Sequence, residues 1–153
     1  MMTFSVSYAK APQYLLSKDG FSGVKIGMSK QALDEGHPHL KYSDEVTPGC
    51  LEVEDDAGVT IMIEEGYVTR VQVNEPHYLT DKNIHVGSTE QEVVAAYGKA
   101  ALKENAKYDE NGHFFFVIDA QSKKGISFET DGKKVTSMYA GKLPSLQYVE
   151  GCL

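Results

Sequence analysis

The chain of 153 residues carries 15 Lys and Arg against 22 Asp and Glu, which gives a net charge of −7 at pH 7. This length corresponds to one ordinary domain or two very small ones. The acidic balance argues against a nucleic-acid-binding protein, because such proteins present clustered basic side chains to phosphates. Hydrophobic residues make up 41% of the chain, enough for a packed core. No apolar run approaches the roughly 18 residues that a membrane span needs.

The N-terminus lacks the features of a secretory signal peptide. Residues 1–8, Met-Met-Thr-Phe-Ser-Val-Ser-Tyr, contain neither a basic segment nor an apolar one. Two interpretations remain open. The protein is cytoplasmic, or it is a mature exported protein, periplasmic or secreted, whose signal peptide is absent from this chain.

A short pattern occurs twice along the chain. Residues 24–33 align with residues 84–93, and each block consists of a short β segment, a glycine, a hydroxyl residue and a helix. Ser29 and Thr89 stand at N-cap positions, where a side-chain oxygen accepts a hydrogen bond from a free amide of the first turn. Residues 89–92, Thr-Glu-Gln-Glu, also match a capping box. We therefore predict a helix after each hydroxyl residue.

Each predicted helix is followed by about three antiparallel strands. Residues 58–61 (Gly-Val-Thr-Ile) match residues 125–128 (Gly-Ile-Ser-Phe), and the Asp131-Gly132 pair marks a hairpin turn. Further strands are predicted near 51–54 and 113–119. Apolar and polar residues alternate along these segments, so one face of the sheet is apolar and the other is mixed polar.

These patterns predict an α+β fold with two tandem repeats, about 20–78 and 79–142. Each repeat is a helix followed by antiparallel strands, and the helices pack on one sheet face. About 60 residues bury only a marginal core, so the two halves are expected to share one. The whole chain, residues 1–153, then forms a single compact unit with a C-terminal tail at 143–153.

Two short motifs resemble a known family. They are Ile26-Gly27-Met28-Ser29 and Val86-Gly87-Ser88-Thr89, the second of which leads to Ala95-Ala96-Tyr97-Gly98. Over residues 20–142 the chain resembles the small outer-membrane-lipoprotein family, whose fold is similar to that of β-lactamase inhibitory protein. The first copy departs from the pattern at residues 35–38. The resemblance implies a non-catalytic bacterial envelope protein that binds another protein through its sheet.

The two cysteines, Cys50 and Cys152, are too few for a disulfide-rich miniprotein or a four-cysteine zinc site. In an exported protein, which the resemblance implies, a disulfide between them would tie the tail to the first repeat. Closing such a loop stabilises a protein by up to about 4–5 kcal/mol in the chain-entropy model. In a cytoplasmic protein they would be two separate buried thiols. The disulfide prediction therefore depends on export.

No catalytic or cofactor-binding motif is recognisable in the sequence. It contains no nucleophile elbow, P-loop, dinucleotide fingerprint or HExxH motif. His37 and His39 flank Pro38, and two imidazoles on an extended segment do not make a metal site. We expect no enzymatic activity, no cofactor and no metal. A catalytic triad assembled in space, or a small-ligand pocket between the repeats, remains the alternative.

The mixed polar face of the predicted sheet is the candidate partner-binding surface. Strand alternation selects six side chains for it: Met62, Arg70, Gln72, Phe115, Glu129 and Tyr139. The negative charge favours a basic protein partner, such as a secreted cell-wall enzyme, because complementary charge speeds association. The protein would then be an immunity or inhibitor protein. The alternative is an accessory protein of envelope assembly, and the oligomeric state remains open.

Five consecutive apolar residues occupy positions 114–118, Phe-Phe-Phe-Val-Ile. Consecutive strand residues point to opposite faces, so some of these side chains must leave the core face. Two outcomes are open for them. They form a contact patch, or the tail covers them through four apolar side chains: Leu143, Leu146, Tyr148 and Val149.

Overall fold

The computed structural model describes residues 15–44 and 47–152, so residues 1–8, considered above for targeting, lie outside the described part. Within the described residues the chain forms twelve β-strands, two α-helices and two short 3₁₀ helices. The fold is mostly β, with 43% strand and 15% helix. The predicted α+β class, with two helix-plus-strand repeats, is therefore wrong.

The first half of the described chain contains seven strands and one helix. In order these are β1 (Leu15–Ser17), β2 (Gly20–Phe21), β3 (Val24–Lys25), α1 (Lys30–Gly36), β4 (Lys41–Tyr42), β5 (Cys50–Glu54), β6 (Val59–Glu64) and β7 (Tyr67–Val73). The second half contains the remaining elements. They are β8 (Leu79–Thr80), α2 (Glu90–Tyr97), a 3₁₀ helix (Gly98–Ala100), β9 (Leu102–Asn105), β10 (His113–Asp119), β11 (Lys124–Thr130), β12 (Val135–Lys142) and a second 3₁₀ helix (Ser145–Gln147).

An eight-stranded antiparallel sheet forms the body of the protein, in the order β4-β5-β6-β7-β12-β11-β10-β9. The two halves of the chain meet in its middle, where Arg70 of β7 lies opposite Gly141 of β12 and Gln72 lies opposite Tyr139. A smaller sheet has the order β3-β2-β1-β8, and β1 runs parallel to β8. Each half of the chain therefore builds one half of the large sheet.

The two recurring motifs make matching backbone hydrogen bonds. The amide of Gly27 donates to the carbonyl of Val68 at 2.8 Å, and the amide of Gly87 donates to the carbonyl of Val135 at 2.8 Å. Both valines donate back to the residue after the glycine, at 2.9 and 2.8 Å. Each motif is thus fixed against β7 or β12, one of the two strands at the centre of the sheet.

Both helices begin where the sequence predicts. The Ser29 hydroxyl accepts a hydrogen bond from the Ala32 amide at 3.1 Å, and the Thr89 hydroxyl accepts one from the Glu92 amide at 3.1 Å. The Glu92 carboxylate reaches back to the Thr89 amide, which completes the predicted capping box. N-cap chemistry alone therefore locates both helix starts.

The predicted packing of the helices on one sheet face is wrong, because both helices are too short to cover a sheet. The α1 helix has seven residues and buries only Leu33, while α2 has eight and buries only Val93. The helices end at the C-cap residues His37 and Gly98. Neither helix is therefore long enough to bury further side chains in an additional turn. Each helix contributes one fully buried side chain to a core that strands dominate. None of the helices in the described residues is long and apolar enough to cross a membrane.

The apolar face of the large sheet holds the main core, as the alternation of apolar residues predicts. Side chains from both halves of the chain meet there: Val59, Ile61, Ile63, Val71, Val73, Ile126, Phe128, Met138 and Ala140. The small sheet packs against this core through Leu16, Phe21 and Val24. The ring of Phe21 packs edge-on against Tyr78, with ring centroids 4.7 Å apart. The opposite face of the large sheet, termed the polar face below, is left for other contacts.

Candidate functional site

The six side chains predicted for partner binding do not share one exposed surface. Five project from the polar face, where Met62 lies opposite Arg70, Gln72 lies opposite Tyr139, and Glu129 lies on the neighbouring strand. The assignment of the sixth, Phe115, is wrong. It lies opposite Phe128 in the main core and is 2% exposed. Strand alternation instead places Phe114 and Phe116 on the polar face, one residue to either side.

Most of the polar face is covered. Met62, Arg70 and Tyr139 are buried, with 2%, 6% and 8% of their surfaces exposed, whereas Gln72 and Glu129 are half-buried. The cover is residues 143–152, termed the C-terminal segment below. Its Leu146 packs against Phe116 and Tyr139 in a second, smaller hydrophobic cluster.

The C-terminal segment covers the aromatic run, one of the two outcomes left open by the sequence. Leu146 is 2% exposed, and Leu143 packs with it around Phe114 and Phe116. Tyr148 and Val149 were expected to help, but 41% and 45% of their surfaces remain exposed. The covering contact is therefore concentrated in the first half of the segment.

A disulfide fixes the far end of the segment. Cys50 and Cys152, which are 102 positions apart in sequence, are bonded, with their Cα atoms 5.6 Å apart. This confirms the predicted pairing. Beside the bond, the Cys152 amide donates to the Glu52 carboxylate at 3.0 Å. A Cβ atom on Gly151 would lie 1.5 Å from an oxygen of the same carboxylate, so a larger residue there would displace the Glu52 side chain.

Arg70 holds the middle of the segment. Its Nη1 donates to the carbonyl of Tyr148 at 2.9 Å, with a longer contact of 3.5 Å to the carbonyl of Ser145. The guanidinium also lies 5.2 Å from the centre of the Tyr139 ring, within the range of a cation–π interaction. Burial lowers the pKa of Arg70, although nearby carboxylates such as Glu64 act in the opposite direction. A guanidinium stays protonated in proteins, so Arg70 is a buried cation bound to backbone oxygens.

Two carboxylates of the polar face are engaged by hydroxyl groups. Glu129 accepts a hydrogen bond from the Tyr139 hydroxyl at 2.6 Å, and burial together with this bond raises the pKa of Tyr139. Glu64 accepts a hydrogen bond from the Thr69 hydroxyl at 2.7 Å and another from the Ser145 hydroxyl. The second bond ties the segment to β6, in addition to its contact with Arg70 on β7.

One hydroxyl beneath the segment has no hydrogen-bond partner in the part of the chain that the structure describes. Ser127 of β11 lies between Phe116 and Tyr139 in the register of the sheet, and its side chain is fully buried. Its Oγ atom makes no hydrogen bond to any of the described residues. Burial of an unpaired hydroxyl is unfavourable, so this group requires an explanation.

The part of the polar face beyond the segment is open. Asn74 accepts hydrogen bonds there from Gln72 at 3.1 Å and from Ser137 at 2.7 Å. Next to them lies a groove of about 180 Å³ whose walls include Glu129 and Val149. Tyr108, 68% exposed, also lines the groove and donates a hydrogen bond to Glu150 of the segment. The open area thus combines polar groups with an exposed aromatic ring.

A carboxylate–imidazole pair lies elsewhere, between α2 and the large sheet. Glu90 accepts hydrogen bonds from His113 at 2.7 Å and from the Thr130 hydroxyl at 2.5 Å, and Lys103 lies 3.8 Å away. Burial opposes ionisation of Glu90, but the bonds to Thr130 and His113 outweigh it and lower the pKa. The pair joins a helix to two strands. Residues so far apart in sequence carry no motif that could have predicted it.

The described residues contain no cluster of three or more His, Cys, Asp or Glu side chains arranged to hold a metal ion. His37 and His39 line a groove of about 260 Å³ together with Asp55, beside the end of α1. The contacts of the polar face consist of charged groups bound to backbone and hydroxyl groups.

Comparison with known proteins informs the fold alone. No family model matches the chain, and no curated protein matches it in sequence. The uncharacterized protein yfeY from Escherichia coli has a similar structure, with a TM-score of 0.50 and 14% identity over 84% of this chain and 97% of that one. This similarity does not test the resemblance to the small outer-membrane-lipoprotein family, which stays a prediction.

A second similar structure is an extracellular protein from Bacillus anthracis that contains an SCP domain. The TM-score is 0.54 and the identity is 9%, over 96% of this chain and 52% of that one. The present chain thus spans about half the length of that protein. Independently of this comparison, the Cys50–Cys152 disulfide is consistent with a periplasmic or secreted protein.

Proposed function

We propose that this is a non-catalytic exported protein that binds a protein partner through the polar face of its large sheet. The observation that carries the proposal is the open area of that face, where Tyr108 and Val149 are exposed and line a groove together with Glu129. Tyrosine is enriched in protein interfaces, because it combines a large apolar ring with a hydrogen-bonding group. These side chains are not needed for the core.

A basic partner fits the charge of the protein. The chain carries a net charge of −7, and the carboxylates of Asp109, Glu129 and Asp131 surround the groove at the open area. Opposite charge on a partner would steer it toward this area and speed association. The specific form of the proposal is an immunity or inhibitor protein that binds a secreted basic enzyme.

We also propose that the chain arose by internal duplication. The matching hydrogen bonds of Gly27 with Val68 and of Gly87 with Val135 support this. The strand order of the large sheet supports it as well. From the centre outward, the strands are β7, β6, β5 and β4 on one side and β12, β11, β10 and β9 on the other, so each side runs backward along the chain. In this view β7 and β12 are corresponding strands of the two halves.

Site-specific photo-crosslinking in the producing cells tests partner binding. A benzophenone amino acid replaces Thr136, which is exposed at the groove, or Gln72 at its edge. The matched control replaces Gln91, which is exposed on α2. We expect one discrete crosslinked protein from the two polar-face positions and none from position 91. Identical products from all three positions, or none from positions 72 and 136, would contradict the proposal.

Affinity for the captured protein then tests the role of charge. Glu129→Lys reverses a charge at the groove and is expected to weaken binding at least about tenfold. Glu104→Lys makes the same change on the exposed strand β9 and should leave the affinity nearly unchanged. Equal losses for the two variants would show that overall charge, not the polar face, determines binding.

A further inference from the structure

The C-terminal segment contacts the polar face in the way that a bound peptide contacts its receptor. Arg70 donates to a backbone carbonyl of the segment, and Glu52 accepts from a backbone amide. One aliphatic side chain, Leu146, fills the space between Phe116 and Tyr139. In peptide recognition, backbone hydrogen bonds supply affinity and a pocket for one side chain supplies selectivity.

The floor of this contact is shaped for close approach. Gly125 and Gly141 lie opposite each other on β11 and β12, at the edge where the segment begins. A Cβ atom on Gly141 would lie 2.8 Å from the Thr69 carbonyl oxygen and 3.4 Å from the Cβ atom of Leu146. Gly141 therefore lets Leu146 of the segment approach the sheet closely.

The polar groups beneath the segment are unusual for a hydrophobic core. Arg70 is a buried cation, and burying a charge is costly unless it is bound, as it is here by carbonyl oxygens of the segment. Ser127 is fully buried beneath the segment, with its hydroxyl unpaired among the described residues. Such a hydroxyl is a donor and acceptor that the present occupant leaves unused.

We infer that the surface beneath the C-terminal segment is a peptide-recognition groove, lined by Glu52, Arg70, Phe116, Ser127 and Tyr139, and that residues 143–152 occupy it as a built-in ligand. The inference rests on the proposed function, since the groove belongs to the same polar face. The occupant that replaces the segment is an extended stretch of the protein partner. It carries an aliphatic side chain at the position of Leu146 and a polar group that pairs with Ser127.

The Cys50–Cys152 bond controls this exchange. The segment is covalently attached at both ends, to β12 and to β5, so its effective concentration at the groove is high. Release requires attack of an external thiolate on one sulfur of the bond. This attack forms a mixed disulfide and frees the other cysteine as a thiolate, which takes up a proton. The groove is then open to the partner.

A disulfide-capture experiment with the full chain tests the groove. The variant Leu146→Asp/Cys152→Ser weakens its own segment and keeps Cys50 as a free thiol. The probe is a synthetic peptide of residues 142–153 whose cysteine carries glutathione in a mixed disulfide. Attack of the Cys50 thiolate joins the peptide to the protein and releases glutathione, and intact-mass spectrometry measures the rate.

The control probe is the same peptide with Leu146→Asp. We expect capture of the matched peptide to be at least about tenfold faster than capture of the control, and adding Arg70→Met to the protein to remove most of this preference. Oxidised glutathione alone reports the intrinsic reactivity of Cys50 in each variant. Equal rates for the two peptides would overturn the inference.

A second measurement does not depend on the folding of that variant. In the Cys50→Ser/Cys152→Ser chain, hydrogen exchange is expected to show loss of protection in residues 143–152 while β6, β7 and β11 stay protected. If the segment and these strands instead exchange together, the segment is an integral part of the core, and the groove does not exist as a separate site.

The two proposals fail in different ways. A discrete crosslink at Thr136 without any preference of Cys50 for the matched peptide would support partner binding at the open area and overturn the groove. A clear peptide preference without crosslinks at positions 72 and 136 would support the groove and overturn partner binding at the open area.

Discussion

The guanidinium of Arg70, in the middle of the large sheet, donates a hydrogen bond to the backbone carbonyl of Tyr148, 2.9 Å away. The two residues are 78 positions apart in sequence. Their contact joins the central strand β7 to the C-terminal segment, which crosses the polar face after the last strand. It is a direct polar contact between the polar face and the segment.

Replacing Arg70 by Met should destabilise the protein. The Tyr148 carbonyl would lose a charged donor, and a hydrogen bond to a charged group contributes about 1.5–3 kcal/mol. We therefore expect the free energy of unfolding, measured by urea denaturation, to fall by about 2 kcal/mol.

The matched control for this variant is Lys142→Met. It removes the same charge from the exposed end of β12, and surface changes of this kind usually stay within about 0.5 kcal/mol. Equal losses in the two variants would indicate that net charge, and not the contact with the segment, is responsible.

The double variant Cys50→Ser/Cys152→Ser should lose more stability than the Arg70 variant. The disulfide joins residues 102 positions apart. In the chain-entropy model, closing a loop of that size lowers the entropy of the unfolded chain and so stabilises the folded protein by about 4–5 kcal/mol. Urea denaturation of the double variant and of the reduced wild-type chain should give the same decrease, about 4 kcal/mol. A decrease below about 1 kcal/mol would show that non-covalent contacts alone hold the segment in place.

The sequence predicts local structure well where a single side chain decides it. Ser29 and Thr89 locate both helix starts, because an N-cap hydroxyl acts on amides only three residues away. The alternation of Val59, Ile61 and Ile63 identifies the core face, because the direction of a strand side chain is also set locally. The fold class depends on how much each helix buries. That depends on the helix length, and the apolar spacing of residues 30–36 and 90–97 does not reveal it.

The candidate site shows the limits of sequence more clearly. Strand alternation places Arg70 and Tyr139 on the polar face, but it carries no information about what lies above them. Their burial depends on residues 143–152, which contain Pro144 and Gly151 and match no strand or helix pattern. Phe115 was misplaced because in a run of five apolar residues every position fits the core.

Leu146→Ala tests whether the segment is held by its side chain. Leu146 is 2% exposed between Phe116 and Tyr139, and truncating a buried leucine usually costs 2–5 kcal/mol. We expect a decrease of about 2–3 kcal/mol in the free energy of unfolding, near the lower limit because the segment can settle into the space. Val149→Ala, at a position that is 45% exposed, is the control and should change stability little. Similar effects at both positions would place the anchor of the segment elsewhere.

The contact of Glu90 with His113 and Thr130 should make stability depend on pH. Hydrogen bonds that outweigh burial lower the pKa of Glu90 below its ordinary value of 4.5 in the folded state. The ionised carboxylate therefore stabilises the folded protein above about pH 4.5, and this contribution disappears as the pH falls through the lowered pKa. Glu90→Gln should be less stable than the wild type by about 1–2 kcal/mol at neutral pH. The difference between the two should shrink as the pH falls below that range.

Urea denaturation from about pH 7 to about pH 3 measures this difference, and comparison at each pH isolates Glu90 because both chains share every other titrating group. Glu104→Gln is the control, since Glu104 is exposed on β9 and its replacement should have little effect at any pH. A constant difference between wild type and Glu90→Gln over the whole range would mean that Glu90 acts through its shape and neutral hydrogen bonds. In that case its charge would play no part in joining α2 to the sheet.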